Sequence, residues 1–271
     1  DRALPQALEE LHKDAIYFMA GRRYRVSALH FEKGRQQHYA ELEPIPYDYP
    51  YYTKALTDEW PSITEEHERK KVFGIEVAYC SLRIQKRVLG YANVEIGQEV
   101  AQGSRKVMFD KALEYEFDTK GFVFRAPRPQ ETVIKSDKDS EYVEMSAFHA
   151  SEHVVIEGSA MITGGASQDL GGISLCSSGL IFVYDGSIGG NGASKVLYDR
   201  LDKALERALR ILSECPCTSE SGCPRCTFSY RCGNNNEYLH KAAAMETIGR
   251  IVNGREGTEI GTDIAGDRAL V

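Results

Sequence analysis

Five of the seven cysteines fall between positions 215 and 232, in the order Cys215-Pro-Cys217, Gly222-Cys223-Pro-Arg225-Cys226 and Cys232. A Cys-x-x-Cys turn presents two sulfurs to one ion, and tetrahedral zinc takes four thiolate or imidazole ligands at about 2.3 Å from sulfur. Cys223 and Cys226 fit that turn. Cys215 and Cys217 can supply the second pair, with Cys232 as a competing fourth ligand. Such clustering in a small secreted domain would point to disulfides, whereas a 271-residue chain with no signal-peptide pattern points to a metal in a reducing compartment. An all-cysteine set is closed, so the expected zinc is structural rather than catalytic.

Three other patterns could carry chemistry. His149-Ala150-Ser151-Glu152-His153 matches the His-x-x-Glu-His string of inverted zinc peptidases, with two imidazoles one helical turn apart. The competing reading is a buried helical face that satisfies its own histidines. Gly189-Gly190-Asn191-Gly192-Ala193-Ser194-Lys195 lies between a strand-like and a helix-like stretch, where backbone amides attract anions. It lacks the G-x-x-x-x-G-K-[ST] spacing of a nucleotide-triphosphate loop, and Asp185 ahead of it serves as well for a cap as for a base. Tyr47, Tyr49, Tyr51 and Tyr52 between Pro46 and Lys54 could stack bases, or could pack as an aromatic loop.

Composition bounds these options. A hydrophobic fraction of 42% and a charged fraction of 27% are those of a globular chain able to bury a core without disulfides. No apolar run approaches the length of a membrane span, and the expected setting is cytoplasmic or nucleoid-associated, not secreted. The start at Asp1 rather than Met reads as a fragment or a processed product. Lys and Arg balance Asp and Glu at 20 each over residues 1–130, so the net charge of −7 arises wholly beyond that point. An acidic chain does not bind nucleic acid non-specifically along its whole surface, and any such contact must be local.

The elements that must position these residues predict an α+β chain: a β-barrel-like module over 1–128, an α/β domain with the four-cysteine zinc site over 129–252, and a frayed tail over 253–271. Strands are expected around Gly21 within 15–29, then at 36–46, 72–85, 88–96 and 105–125. A hinge is expected at Ala126-Pro127-Arg128-Pro129-Gln130. Beyond it come a helix over 141–162, a glycine-rich loop at Gly164–Gly172, and a buried strand over 180–184. Helices follow at 193–213 and 237–252.

In order along the chain, His149-x3-His153, Asp169-Leu-Gly-Gly172, Tyr184-Asp-Gly-x2-Gly189-Gly-x-Gly192, the cysteine series, and Cys232-Gly-Asn-x-Asn236-Glu-x-Leu239-x-Lys241 resemble one known domain. It is the C-terminal zinc-binding domain, formerly of unknown function, of MrfA-type superfamily-2 DNA helicases. The likeness covers about 145–250, and the stretch from Tyr17 to Thr53 is similar to the β-rich segment preceding that domain. The resemblance implies zinc on Cys215, Cys217, Cys223 and Cys226, with the role of Cys232 open. It also implies an accessory region of an ATP-dependent 3′–5′ helicase linked to DNA repair, beside motor domains in the same or a partner chain. Neither a Walker A string nor an Asp-Glu-x-His box is present here. The expected partner is single-stranded DNA, with Arg225, Arg231 and Lys241 near the metal and Arg22, Arg23 and Arg25 in the barrel as candidate contacts. A metallohydrolase using His149, Glu152 and His153, and a protein-interaction module without DNA contact, are the alternatives.

Overall fold

The computed structural model describes residues 2, 4–32, 37–97, 105–130, 140–165, 167–175, 178–254, 257 and 259–260. Cys176, Ala166 and most of the tail beyond Gly254 lie outside these residues.

Two compact units share the chain. The first comprises Asp1–Glu59, Gln85–Glu116 and Gly233–Glu237; the second comprises Trp60–Ile84, Phe117–Cys232 and Tyr238–Val271. In the first unit a short helix α1 (Leu4–Glu10) precedes an antiparallel meander of β1 (Ile16–Met19), β2 (Arg22–His30) and β3 (Tyr39–Pro44). The hairpin turns at Ala20-Gly21, as the sequence predicts. Three long strands follow: β4 (Tyr51–Val72), β5 (Ile75–Glu95) and β6 (Arg105–Arg125), each giving a part to each unit. The strands form a three-stranded sheet β1-β2-β3 and a second sheet built on β4, β5 and β6, in a nearly closed, barrel-like arrangement.

Leu56, Ala92 and Val94 pack there with Tyr52, and the buried Lys86 sits between two carboxylates. Its ammonium lies 2.5 Å from Glu9 and also pairs with Glu59. Burial alone would drive the proton off Lys86, but the charges of Glu59 and Glu9 outweigh it and raise the amine above its usual value. The triad ties α1 to β4 and β5.

In the second unit the sheet runs in the order β4-β5-β6-β8-β7, where β7 is Leu170–Leu175 and β8 is Leu180–Asp185. Strand β8 pairs antiparallel with both β6 and β7, and all six of its residues are buried, as its unbroken apolar run predicts. The helices are α2 (Ser140–Glu157), the single turn α3 (Ala160–Thr163), α4 (Ala193–Asp199), α5 (Leu201–Glu214) and α6 (Lys241–Val252). Phe148, Val154 and Val155 of α2, Leu201, Leu205 and Leu212 of α5, and Ile248 and Ile251 of α6 join Phe122, Phe124, Ile181 and Val183 of the sheet in one core. Among the described residues no helix is long and apolar enough to cross a membrane.

Several boundaries differ from those the sequence predicts. Strand β4 is hidden by its charged run Glu65-Glu66-His67-Glu68-Arg69-Lys70-Lys71, whose residues are mostly exposed. The two stretches expected at 72–85 and 88–96 are one strand, β5. The glycine-rich segment over 170–175 is the edge strand β7 rather than loop. The helix expected over 193–213 is broken at Arg200, where φ is −118°. The last helix begins at Lys241, because Asn235, Asn236 and Tyr238 take left-handed backbone (φ 56°, 58° and 55°) that a helix cannot include.

Replacing Lys86 by Ala strands two largely buried carboxylates without their cation. We expect a loss of about 3–5 kcal/mol in urea unfolding. A change under about 1 kcal/mol would mean that Glu9 and Glu59 reach water.

Candidate metal centre and its surroundings

Helix α5 delivers Cys215 at its C-terminus, and from there to His240 the chain has no helix or strand. Its shape comes from tight backbone turns, such as the Cys226 and Thr227 amides donating to the Cys223 carbonyl, and from side chains. The Sγ atoms of Cys215 and Cys223 are 3.6 Å apart, those of Cys217 and Cys226 3.7 Å, and those of Cys223 and Cys226 3.8 Å. Four thiolates about 2.3 Å from one zinc lie about 3.8 Å from each other at tetrahedral angles, so the spacing fits a shared ion. All four sulfurs lie within 4.8 Å of one another. The described cysteines form no disulfide.

The turn between the second pair is built for sulfur. The Cys223 amide donates to Cys226 Sγ at 3.3 Å and the Arg225 amide to Cys223 Sγ at 3.4 Å. Gly222 has φ +90°, and a Cβ there would meet Thr227 Oγ1 at 2.0 Å, so the chain enters this turn only through glycine. Thr227 is fully buried and its hydroxyl donates to the Ser221 carbonyl at 2.6 Å, closing the loop.

In the bare thiols the environment pulls in opposite directions. A backbone hydrogen bond at Cys217 lowers Cys215 to about 7, whereas burial pushes Cys226 up to about 12. Burial opposes the ionised form of Cys223 and Cys226, and a cation would offset it. A bound ion would take the four sulfurs as thiolates and displace the protons, so its affinity falls as pH falls.

Lys241 takes a place that sequence spacing does not reveal. Its ammonium, also a candidate DNA contact, donates to the Cys215 carbonyl at 2.7 Å and the Cys217 carbonyl at 3.1 Å, and lies 3.5 Å from Cys217 Sγ. It therefore braces the first cysteine pair. Cys232, the competing fourth ligand, lies outside the four-sulfur group and joins His149 and His153 instead. Asp185 is a cap: its carboxylate accepts from the Gly192 amide at 3.0 Å and the Ser194 amide at 2.6 Å, filling the start of α4 where an anion would sit.

The remaining candidate cations fall in two places, each within its own unit. In the first, Arg22 is exposed, while Arg23 lies 5.8 Å from the ring of Tyr47 and Arg25 5.7 Å from that of Tyr49. Arg25 also donates to the Tyr49 hydroxyl at 3.2 Å. Tyr47 is 77% exposed, whereas Tyr52 packs on Leu56, so the tyrosine run is split between surface and core. In the second unit Arg225 is exposed on the cysteine turn, near in sequence to Tyr230, which is 80% exposed, and Arg231 reaches toward Gly186.

Residues 151–227 match the family described as the MrfA Zn-binding domain. Over 114 residues, 39% of this chain, the sequence is 34% identical to the whole of an uncharacterised protein of Methanocaldococcus jannaschii. The fold is similar to a crystal structure of the DUF1998 helicase MrfA, with a TM-score of 0.51 and 18% identity over 88% of this chain and 30% of that one. A DNA-bound structure of the same helicase aligns with a TM-score of 0.49 and 18% identity, over 93% of this chain and 31% of that one. The chain thus spans less than a third of the helicase chains it matches.

Substituting Lys241 by Ala should weaken zinc retention against a chelator by about 10- to 100-fold, the usual effect of losing a group that orients metal ligands. Unchanged retention would mean that the cysteine pair holds its shape unaided.

Proposed function

Since the chain belongs to the family that carries the MrfA zinc-binding domain, we propose that it is a non-motor accessory region of an ATP-dependent DNA helicase. In this reading Cys215, Cys217, Cys223 and Cys226 hold one structural zinc, and the rigid loop they form helps to guide single-stranded DNA. The observation that carries it is the tetrahedral spacing of four sulfurs inside the matching segment. The zinc supplies cross-linking of an irregular loop, not Lewis-acid chemistry, because four thiolates complete its coordination.

The DNA contact is supported by the pairing of cations with exposed aromatic faces. A single strand offers phosphates at regular intervals and unstacked bases between them, and a groove that grips it combines positive charge with rings. Arg23 beside Tyr47 and Arg25 beside Tyr49 have that chemistry, and Arg22 and Arg225 add exposed positive charge on the same strand and on the cysteine turn. Arg231 is a further candidate. Movement in the 3′–5′ direction, a role in DNA repair, and motor domains in the same or a partner chain follow from the family likeness and are part of the proposal.

Binding of a fluorescent oligothymidine across a salt series tests it. Changing Arg23, Arg25 and Arg225 together to Ala should weaken binding and flatten the plot of log affinity against log salt by about 0.7 for each phosphate that is no longer neutralised. An unchanged affinity and slope would remove DNA from the proposal and leave the zinc reading standing.

A further inference from the structure

We propose that His149, His153 and Cys232 form a second metal centre, distinct from the four-cysteine set, for a borderline-soft divalent ion such as zinc. Helix α2 is buried over most of its length and carries the two histidines one turn apart, with ring centroids 4.4 Å from each other. The loop beyond the cysteine turn brings Cys232 to the same spot. The ligand atoms of all three lie within 4.8 Å of one another, and the residues are 9%, 3% and 6% exposed.

The hydrogen bonds fix which nitrogen of each ring faces the cluster. His153 Nδ1 lies 2.7 Å from the Thr227 carbonyl and His149 Nδ1 3.2 Å from the Tyr238 carbonyl. A carbonyl only accepts, so each ring carries a proton on Nδ1 and presents Nε2 to the cluster as the atom that would ligate a metal. Histidines that ligate metals are held in this way, with the far N–H donated to a carbonyl. His149 Nε2 is 3.5 Å from Cys232 Sγ. A zinc with sulfur at about 2.3 Å and nitrogen at about 2.0–2.1 Å would set those atoms about 3.6 Å apart at tetrahedral angles. On binding, the Cys232 thiol becomes a thiolate and releases its proton to solvent, and each histidine ligates through an unprotonated Nε2.

Three protein ligands leave one position to a further donor. Glu152, the acid of the His-x-x-Glu-His string, packs toward β7, where a Cβ on Gly172 would lie 2.4 Å from Oε1. The burial of all three residues describes a clamp between α2 and the loop that is closed to bulk water.

Elemental analysis and zinc-edge X-ray absorption on the full chain, purified under reducing conditions without added metal, test this centre. Two zinc ions per chain with a mixed sulfur and nitrogen shell are expected. The joint change His153→Ala with Cys232→Ser should leave one zinc in an all-sulfur shell. One zinc in an all-sulfur shell in the unmodified protein would overturn the second centre and leave the first intact. One zinc in a shell rich in nitrogen, kept when Cys223 and Cys226 become Ser, would overturn the four-cysteine reading and support this one. The absorption measurement needs no variant, so a variant that fails to fold does not protect the proposal.

Discussion

The convergence of four sulfurs is the interaction on which the second unit depends. Between α5 and α6 the chain crosses from Cys215 to His240 without a helix or strand, and its backbone groups have no ladder to join. Isolated backbone turns, sulfur, a lysine ammonium and buried hydroxyls take that place. The cysteine turn accepts backbone amides at Cys223 and Cys226, Lys241 gathers the carbonyls of Cys215 and Cys217, and Thr227 closes the loop on Ser221. Helix α6 starts only where this network ends, with His240 accepting from the Ala243 amide as its cap.

The same loop governs α2. A helix buried on most sides, with Ser146, His149, Ser151, Glu152 and His153 among its buried residues, needs polar partners from its neighbours. For both histidines they are backbone carbonyls of the irregular segment, those of Tyr238 and Thr227. Tyr238 adopts a left-handed backbone, φ 55°, that a bulky residue rarely takes, and its carbonyl is the one His149 reaches. Thr227 follows Cys226 directly, so the ring of His153 is held by the residue next to a candidate zinc ligand.

The cysteine series is legible because ligand spacing is a local property of sequence: Cys223-x-x-Cys226 is a turn wherever it occurs. The strand β6 and the buried run of β8 are legible for a similar reason, since their patterning is continuous. Strand β4 is not, because its charged residues mostly face outward and only part of it contributes to a core. Nor can spacing assign Cys232 or Lys241. Which sulfur joins which partner depends on how α2 and α6 pack against the loop, and that is a tertiary fact. The division into two units is similarly hidden, because single strands serve both.

A zinc bound by four thiolates is a dianion, and a dianion directly beneath an arginine would weaken that arginine's attraction for any phosphate. Lys241, 3.5 Å from Cys217 Sγ, would cancel part of that charge. Partial neutralisation of a four-thiolate metal complex would leave Arg225, exposed on the same turn, with more of its positive field.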